Sequence, residues 1–174
     1  MADDAASTLN PGFVRKVQLF IAHGFGSGLA KRAPGTVGTA AAVVCWLPFS
    51  PLAYYRPFQY IVLCLVLLPI TVWAASGAEL HYKRHDVGNI VIDEFIGFFI
   101  TMIAIPATIP TVLLGFVVFR VLDIVKIQPA KRIDRTWPGG WGVVLDDVVS
   151  GIYANILLQI AIRVAPKLLG LSGN

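Results

Sequence analysis

The chain reads as all-α, a compact helical bundle with several apolar, membrane-embedded helices, some of them short or broken by proline. Three observations lead there. Of its 174 residues 56% are hydrophobic, and mean hydropathy is +0.73, beyond the usual composition of soluble domains. Four intervals, 33–55, 57–78, 95–119 and 148–162, carry no Asp, Glu, Lys or Arg. Glycines and prolines then cut those intervals into pieces of helix length rather than leaving four uniform spans.

Taken in order, residues 1–11 form a disordered tail closed by Asn10-Pro11, and 12–174 form a single domain. A short helix covers 13–23, with Phe13, Val17, Phe20 and Ile21 on one face at helical spacing. It delivers the chain to Gly24-Phe-Gly-Ser-Gly28, and a loop leads to a small-residue helix starting near Thr36, whose hydroxyl is placed to cap it. Gly35, Gly38, Pro48 and Pro51 trim that helix to about a dozen residues, or ~18 Å. Interval 57–78 is the clean spanning helix of the ~20 residues a bilayer requires. Pro106 and Pro110 split 95–119 into two halves, which either turn back on each other as a hairpin or cross as one tilted helix that would separate the two acidic stretches. In the hairpin arrangement the polar segments 23–36, 79–94 and 120–147 emerge on one side, with only SPLAYYRP and PATIP on the other, and their Lys and Arg content makes the first side cytoplasmic.

The net charge of +4 and pI near 9.3 call for an anionic partner. Nucleic acid fits poorly, because the basic residues form no stripe with interleaved aromatics. Anionic lipid fits better, since Arg15, Lys16, Lys31, Arg32, Lys83, Arg84, Lys131, Arg132 and Arg135 flank apolar segments. Cys45 and Cys64 lie inside apolar runs without ligand spacing, so they read as small hydrophobes. The acidic N-terminus lacks the basic start of a signal peptide.

Against this apolar background, seven of ten carboxylates fall into two stretches, Asp86/Asp93/Glu94 and Asp123/Asp134/Asp146/Asp147. Asp93-Glu94 and Asp146-Asp147 look alike, each a paired acid heading an apolar helix with a glycine, Gly97 or Gly151, one turn beyond. Each pair alone reads as a negative N-terminal cap. Together with Asp123 they read as a cluster that repels itself unless it is protonated or holds a cation. An all-oxygen donor set points to Mg²⁺ or Mn²⁺ rather than zinc. Arg120, Asp123 and Lys126 follow at i+3 steps on one helix face, either as a salt-bridge ladder or with the two cations turned to a phosphate. Gly24–Gly28 and Trp137–Gly142 read equally as turns or as loops that bring backbone amides to an anion.

The segments GFGSGL with APGTVGT, HDVGNIVIDEFIGFFIT, GFVVFRVLDIVKIQPAKRIDR and GGWGVVLDDVVSG together resemble the phosphatidylglycerophosphatase A family, over about half the chain and in order. One departure is Lys126-Ile127-Gln128-Pro129, where family members often have Lys-Pro-x-Pro. The resemblance implies an all-helical Mg²⁺-requiring enzyme of the bacterial cytoplasmic membrane, removing the terminal phosphate of phosphatidylglycerophosphate on the cytoplasmic face. On that reading Asp93, Glu94, Asp123, Asp146 and Asp147 hold Mg²⁺ or Mn²⁺. Asp86, Asp93, Glu94, Asp123, Asp134 and Asp147 form the catalytic set, with Asp86 and Asp134 as candidate general bases. Gly26, Ser27, Lys31, Thr36, Arg120 and Lys126 bind the phosphate. Membrane lipid and a second copy of the chain are further candidate partners. The alternative is a small transporter or channel whose acids carry ions or protons, with acids distributed through the bilayer depth.

Overall fold

Proline opens five of the eight α-helices among the described residues, at the first or second helical position. Its missing N–H costs nothing there, because the first turn has no carbonyl to bond to. The computed structural model describes residues 10–84 and 87–171, without the side chains of 134 and 135, and contains no strand among them. The helices are α1 (Pro11–Ala22), α2 (Pro34–Trp46), α3 (Ser50–Tyr55), α4 (Pro57–Tyr82), α5 (Ile92–Thr101), α6 (Ile109–Val125), α7 (Ala130–Thr136) and α8 (Gly140–Val164). Short 3-10 turns lie at Gly24–Leu29, Leu47–Phe49 and Pro166–Leu169.

Several local expectations are corrected. α2 begins at Pro34, preceded by Ala33 in the left-handed region, and Thr36 lies inside it without a capping bond. α2 itself has the expected length, 13 residues, but Pro48 and Pro51 do not stop the helical run, because each sits in the opening turn of the next helical piece. The run Pro34–Tyr55 therefore continues for 22 residues. With Pro57–Tyr82 and Gly140–Val164 it gives three helical runs long and apolar enough to cross a membrane, where the sequence alone suggested one. α1 turns Phe13 and Phe20 outward and sets Arg15 and Gln18 against α4. Arg15 donates to Gly77 O at 3.1 Å and Gln18 to Trp73 O at 3.1 Å. An apolar face that water would drive inward is free to face lipid instead.

The hairpin expectation holds. Residues 102–108 turn the chain so that α6 runs back along α5, pairing Glu94 with Arg120, Gly97 with Phe119 and Thr101 with Gly115. α8 runs parallel to α5, and Gly151 lies so close to the Gly97 carbonyl that a Cβ there would strike it. A Cβ at Gly97 would stand 2.6 Å from the Phe119 ring and 3.0 Å from Asp147 O. Further along, Asn155 donates to Thr101 O at 2.9 Å and Ile103 O at 2.7 Å, satisfying carbonyls that the short α5 leaves over. Thr108 and Thr111 form a capping box that opens α6.

These pairings give the bundle two ends. One gathers α3, the 102–108 turn and Pro166–Leu169, joined by Ala104 N to Ala53 O at 3.0 Å and Thr108 Oγ1 to Leu169 O at 2.7 Å. This end also receives Arg163 and Lys167. The other end carries the Gly24–Leu29 turn, the heads of α2 and α5 and the foot of α6. Trp46, Tyr60, Phe98 and Phe119 are fully buried between the helices, whereas Leu65, Val66, Leu113, Ile124, Ile156 and Val164 are exposed. Such an apolar exterior suits a hydrocarbon surrounding.

Candidate active site

At the second end three carboxylates converge. α5 contributes Asp93 and Glu94 from its first turn, and α8 contributes Asp147. One oxygen from each lies within 4.8 Å of the others, and all three side chains are buried. The close Gly97–Gly151 contact one turn beyond the acids brings the two helix backbones together there, which is what lets short Asp side chains meet.

The two acid pairs are not look-alikes. Asp93 and Glu94 sit in the first turn of α5, where the helix dipole favours them. α8 starts at Gly140, so Asp146 and Asp147 lie well inside it and cannot be caps. The start is early because Gly140 lies against α4, donating to Ser76 Oγ at 3.1 Å where a Cβ would stand 2.6 Å from Val72 O. The expected Trp137–Gly142 loop is thus shortened to 137–139.

Charge is concentrated here. Arg120 lies 3.4 Å from Glu94 Oε1 and 2.5 Å from Asp123 Oδ2. Lys126 is not on the helix face with them: α6 ends at Val125, Lys126 takes a left-handed conformation, and its Nζ reaches Asp146 Oδ2 on α8 at 2.7 Å. Asp146 Oδ1 also accepts from Asp147 N at 3.0 Å. The five acids proposed as ligands therefore divide. Asp93, Glu94 and Asp147 form the cluster, while Asp123 and Asp146 contact the cations that flank it.

Burial, then Glu94 and the neighbouring aspartates, push the Asp93 carboxyl well above the usual carboxylate range. Burial likewise raises Glu94 to about 8, against the pull of the Asp93 hydrogen bond and Arg120. Glu94 Oε2, Asp147 Oδ2 and Arg120 Nε are buried without a hydrogen-bond partner among the described residues. Unsatisfied carboxylate oxygens in a dry, all-oxygen cluster fit a hard divalent cation, so this cluster is able to hold a metal ion.

The phosphate-binding candidates are spread around this point. A Cβ at Gly35 would run into Glu94 Oε1 and stand 2.8 Å from Arg120 Nη2, so the opening turn of α2, with Thr36 exposed in it, abuts the cluster. Gly35 was legible only as a helix breaker. Its role as the point of contact depends on α2 meeting α5 and α6. Ser27 donates to Gly24 O at 2.8 Å within its own turn, and Gly26 has φ of +101° with open space around it. Gly24 lies against Phe95 and Val91, Gly28 against Asn89 and Val91, and the Phe25 ring meets Phe95 edge-on, so the turn packs on the head of α5. Lys31 is exposed between the turn and α2. Asp86 and the side chain of Asp134, the two general-base candidates, lie outside the described residues.

Comparison with known proteins identifies the family. The family model for phosphatidylglycerophosphatase A matches residues 20–162. Phosphatidylglycerophosphatase A of Escherichia coli is 41% identical over 134 residues, covering 76% of each chain. The Haemophilus influenzae protein of that name is 36% identical over 139 residues, covering 79% of this chain and 84% of its own. A provisionally named phosphatidylinositol-3-phosphatase of Bacteroides thetaiotaomicron is 33% identical over 148 residues, 82% of this chain and 92% of its own. No solved structure matches significantly. A match that runs from α1 through nearly all of α8 takes in every element of the acidic cluster, and the chain belongs to the phosphatidylglycerophosphatase A family.

Proposed function

We propose that this protein is a Mg²⁺-dependent lipid phosphatase that hydrolyses the terminal phosphomonoester of phosphatidylglycerophosphate to phosphatidylglycerol and phosphate, at the cytoplasmic face of a bacterial inner membrane. The observation that carries the reading is the meeting of Asp93, Glu94 and Asp147 beside Arg120 at the polar end of a bundle with an apolar exterior. Family membership supplies the reaction, and the relatives named phosphatidylglycerophosphatase A supply the substrate.

Asp93, Glu94 and Asp147 are the residues that would hold the metal. When bound there, Mg²⁺ or Mn²⁺ supplies charge that polarises phosphoryl oxygens and makes water a better nucleophile near neutral pH. Arg120 binds the phosphate with the edge of its guanidinium left over by Glu94, while Asp123 holds the group in place. The N–H groups of Gly35 and Thr36 open α2 without intrahelical partners and complement an anion from the other side. Lys126, steadied by Asp146, neutralises charge that develops at the phosphate. Gly26, Ser27 and Lys31 border the entrance, and Asp86 or Asp134 takes the proton of the attacking water. Acids gathered at one end of the bundle, rather than spaced along it, weigh against an ion pathway.

The test is phosphate release from phosphatidylglycerophosphate in detergent micelles, first with Mg²⁺ and then with excess EDTA. Release that stops in EDTA and returns with Mg²⁺ is the expected result. Folded protein that releases no phosphate under either condition refutes the proposal.

A further inference from the structure

A cavity of about 420 Å³ lies between α4 and α5, away from the acids but starting beside them. Ile92, Phe95, Ile96 and Phe99 give it one wall, at the i, i+3, i+4 and i+7 spacing of a single face of α5. Asp93 and Glu94 occupy the remaining sides of that helix's first turn. Leu67 and Ile70 form the opposite wall on α4. The cavity extends from Ile92 and Phe25, at the acidic end, to Phe49 and Phe99 near the far end, about 10 Å along the α5 axis. Thr71 is the only side chain in its lining with a hydroxyl, and that hydroxyl donates to Leu68 O at 2.7 Å. The cavity thus presents hydrocarbon along its length, with no group placed to orient a polar ligand. Its volume is within the roughly 300–1,000 Å³ of single-ligand sites.

We infer that this cavity seats one acyl chain of the phospholipid substrate, so that the lipid is held by its chain on one face of α5 and by its phosphate at the head of the same helix. The inference rests on the phosphatidylglycerophosphatase reading. The occupant follows from the geometry. A slot that is apolar throughout, runs lengthwise in a lipid-facing bundle and begins one residue from a carboxylate cluster suits an amphiphile with an anionic end and a long hydrocarbon end. A polar metabolite gains nothing from the slot, and an apolar molecule without a head gains nothing from the cluster.

The experiment compares kcat/KM for dioleoyl and dihexanoyl phosphatidylglycerophosphate in the wild type, in Leu67→Trp, which fills the cavity from α4, and in Val121→Trp, on the exposed face of α6. Leu67→Trp is expected to lower the dioleoyl value about tenfold, equivalent to displacing roughly two buried methylene groups, and mainly through KM. The dihexanoyl value should stay within about twofold, and Val121→Trp should change neither by more than that. Equal losses on both substrates in Leu67→Trp, or no loss on either, overturn the inference.

If the wild type hydrolyses neither substrate, the phosphatase reading fails separately, and a binding readout decides the cavity. Cys45 lines it and Cys64 is buried, so maleimide labelling of Cys45 is followed in a Cys64→Ala chain. Dioleoyl phosphatidylglycerol in the micelles should slow labelling at least about fivefold, and glycerol phosphate should not. Labelling unaffected by the lipid removes the cavity as a chain site.

Discussion

Asp147 shows how a single side chain ties stability to function in this protein. It is buried, one of its oxygens lacks a partner, and two other carboxylates stand within a few ångströms. Asp147→Asn keeps the shape and removes one charge. Phosphate release should fall at least about a hundredfold if the proposed metal site loses this ligand. In EDTA the variant should melt no lower than the wild type, since mutual repulsion is relieved. Added Mg²⁺ should raise the wild-type midpoint, as a ligand bound by the folded state alone must, and should leave the variant unmoved. A variant with wild-type activity would remove Asp147 from the site. Gly35 supplies a second test at this scale. Gly35→Ala places a methyl group against Glu94 and Arg120, so activity should fall about tenfold or more while stability changes by only about 1–2 kcal/mol, read from turnover and denaturant titration.

At the scale of elements, the contact that matters is α5 on α8. Gly97 and Gly151 let the two backbones approach, Asn155 secures the C-terminal end of α5, and the acids sit one turn above the glycines. Gly151→Val has no room, because even a Cβ would strike the Gly97 carbonyl. It should cost about 3 kcal/mol or more of stability and spread Asp93 from Asp147, abolishing Mg²⁺-induced stabilisation. The sequence placed a glycine one turn below each acid pair, and in the structure another backbone passes at each. It misplaced the start of α8, because Gly140-Trp-Gly142 looks like loop until Ser76 and Val72 of α4 are seen to need glycine there.

For the whole molecule, two ends of unequal charge imply an orientation. Lys31, Arg32, Lys83, Arg84, Arg120, Lys126, Lys131 and Arg132 lie at or near the acidic end, against Arg56, Arg163 and Lys167 at the other. By the positive-inside rule the acidic end is expected to face the cytoplasm, as the proposed function requires. In a chain with Cys45 and Cys64 replaced by Ala, Gly88→Cys should react with an impermeant maleimide only after the membrane is opened. Tyr55→Cys, exposed at the opposite end, should react in intact spheroplasts. The reverse pattern would invert the orientation and place the site outside.

Composition and charge placement were sufficient for the helical class, the apolar exterior and the acids, because hydropathy and the scarcity of charge are properties of the chain itself. Two prolines in a charge-free interval marked a break at 102–108, but only the fold chose a hairpin over a single tilted crossing. Folding alone brought Asp93, Glu94 and Asp147 within 4.8 Å of one another and set Asp123 and Asp146 on the flanking cations, sent Lys126 across to α8 and turned the phenylalanines of α1 outward. Those outcomes depend on which helix faces come together over a few ångströms, and spacing along one helix carries no information about the register of another.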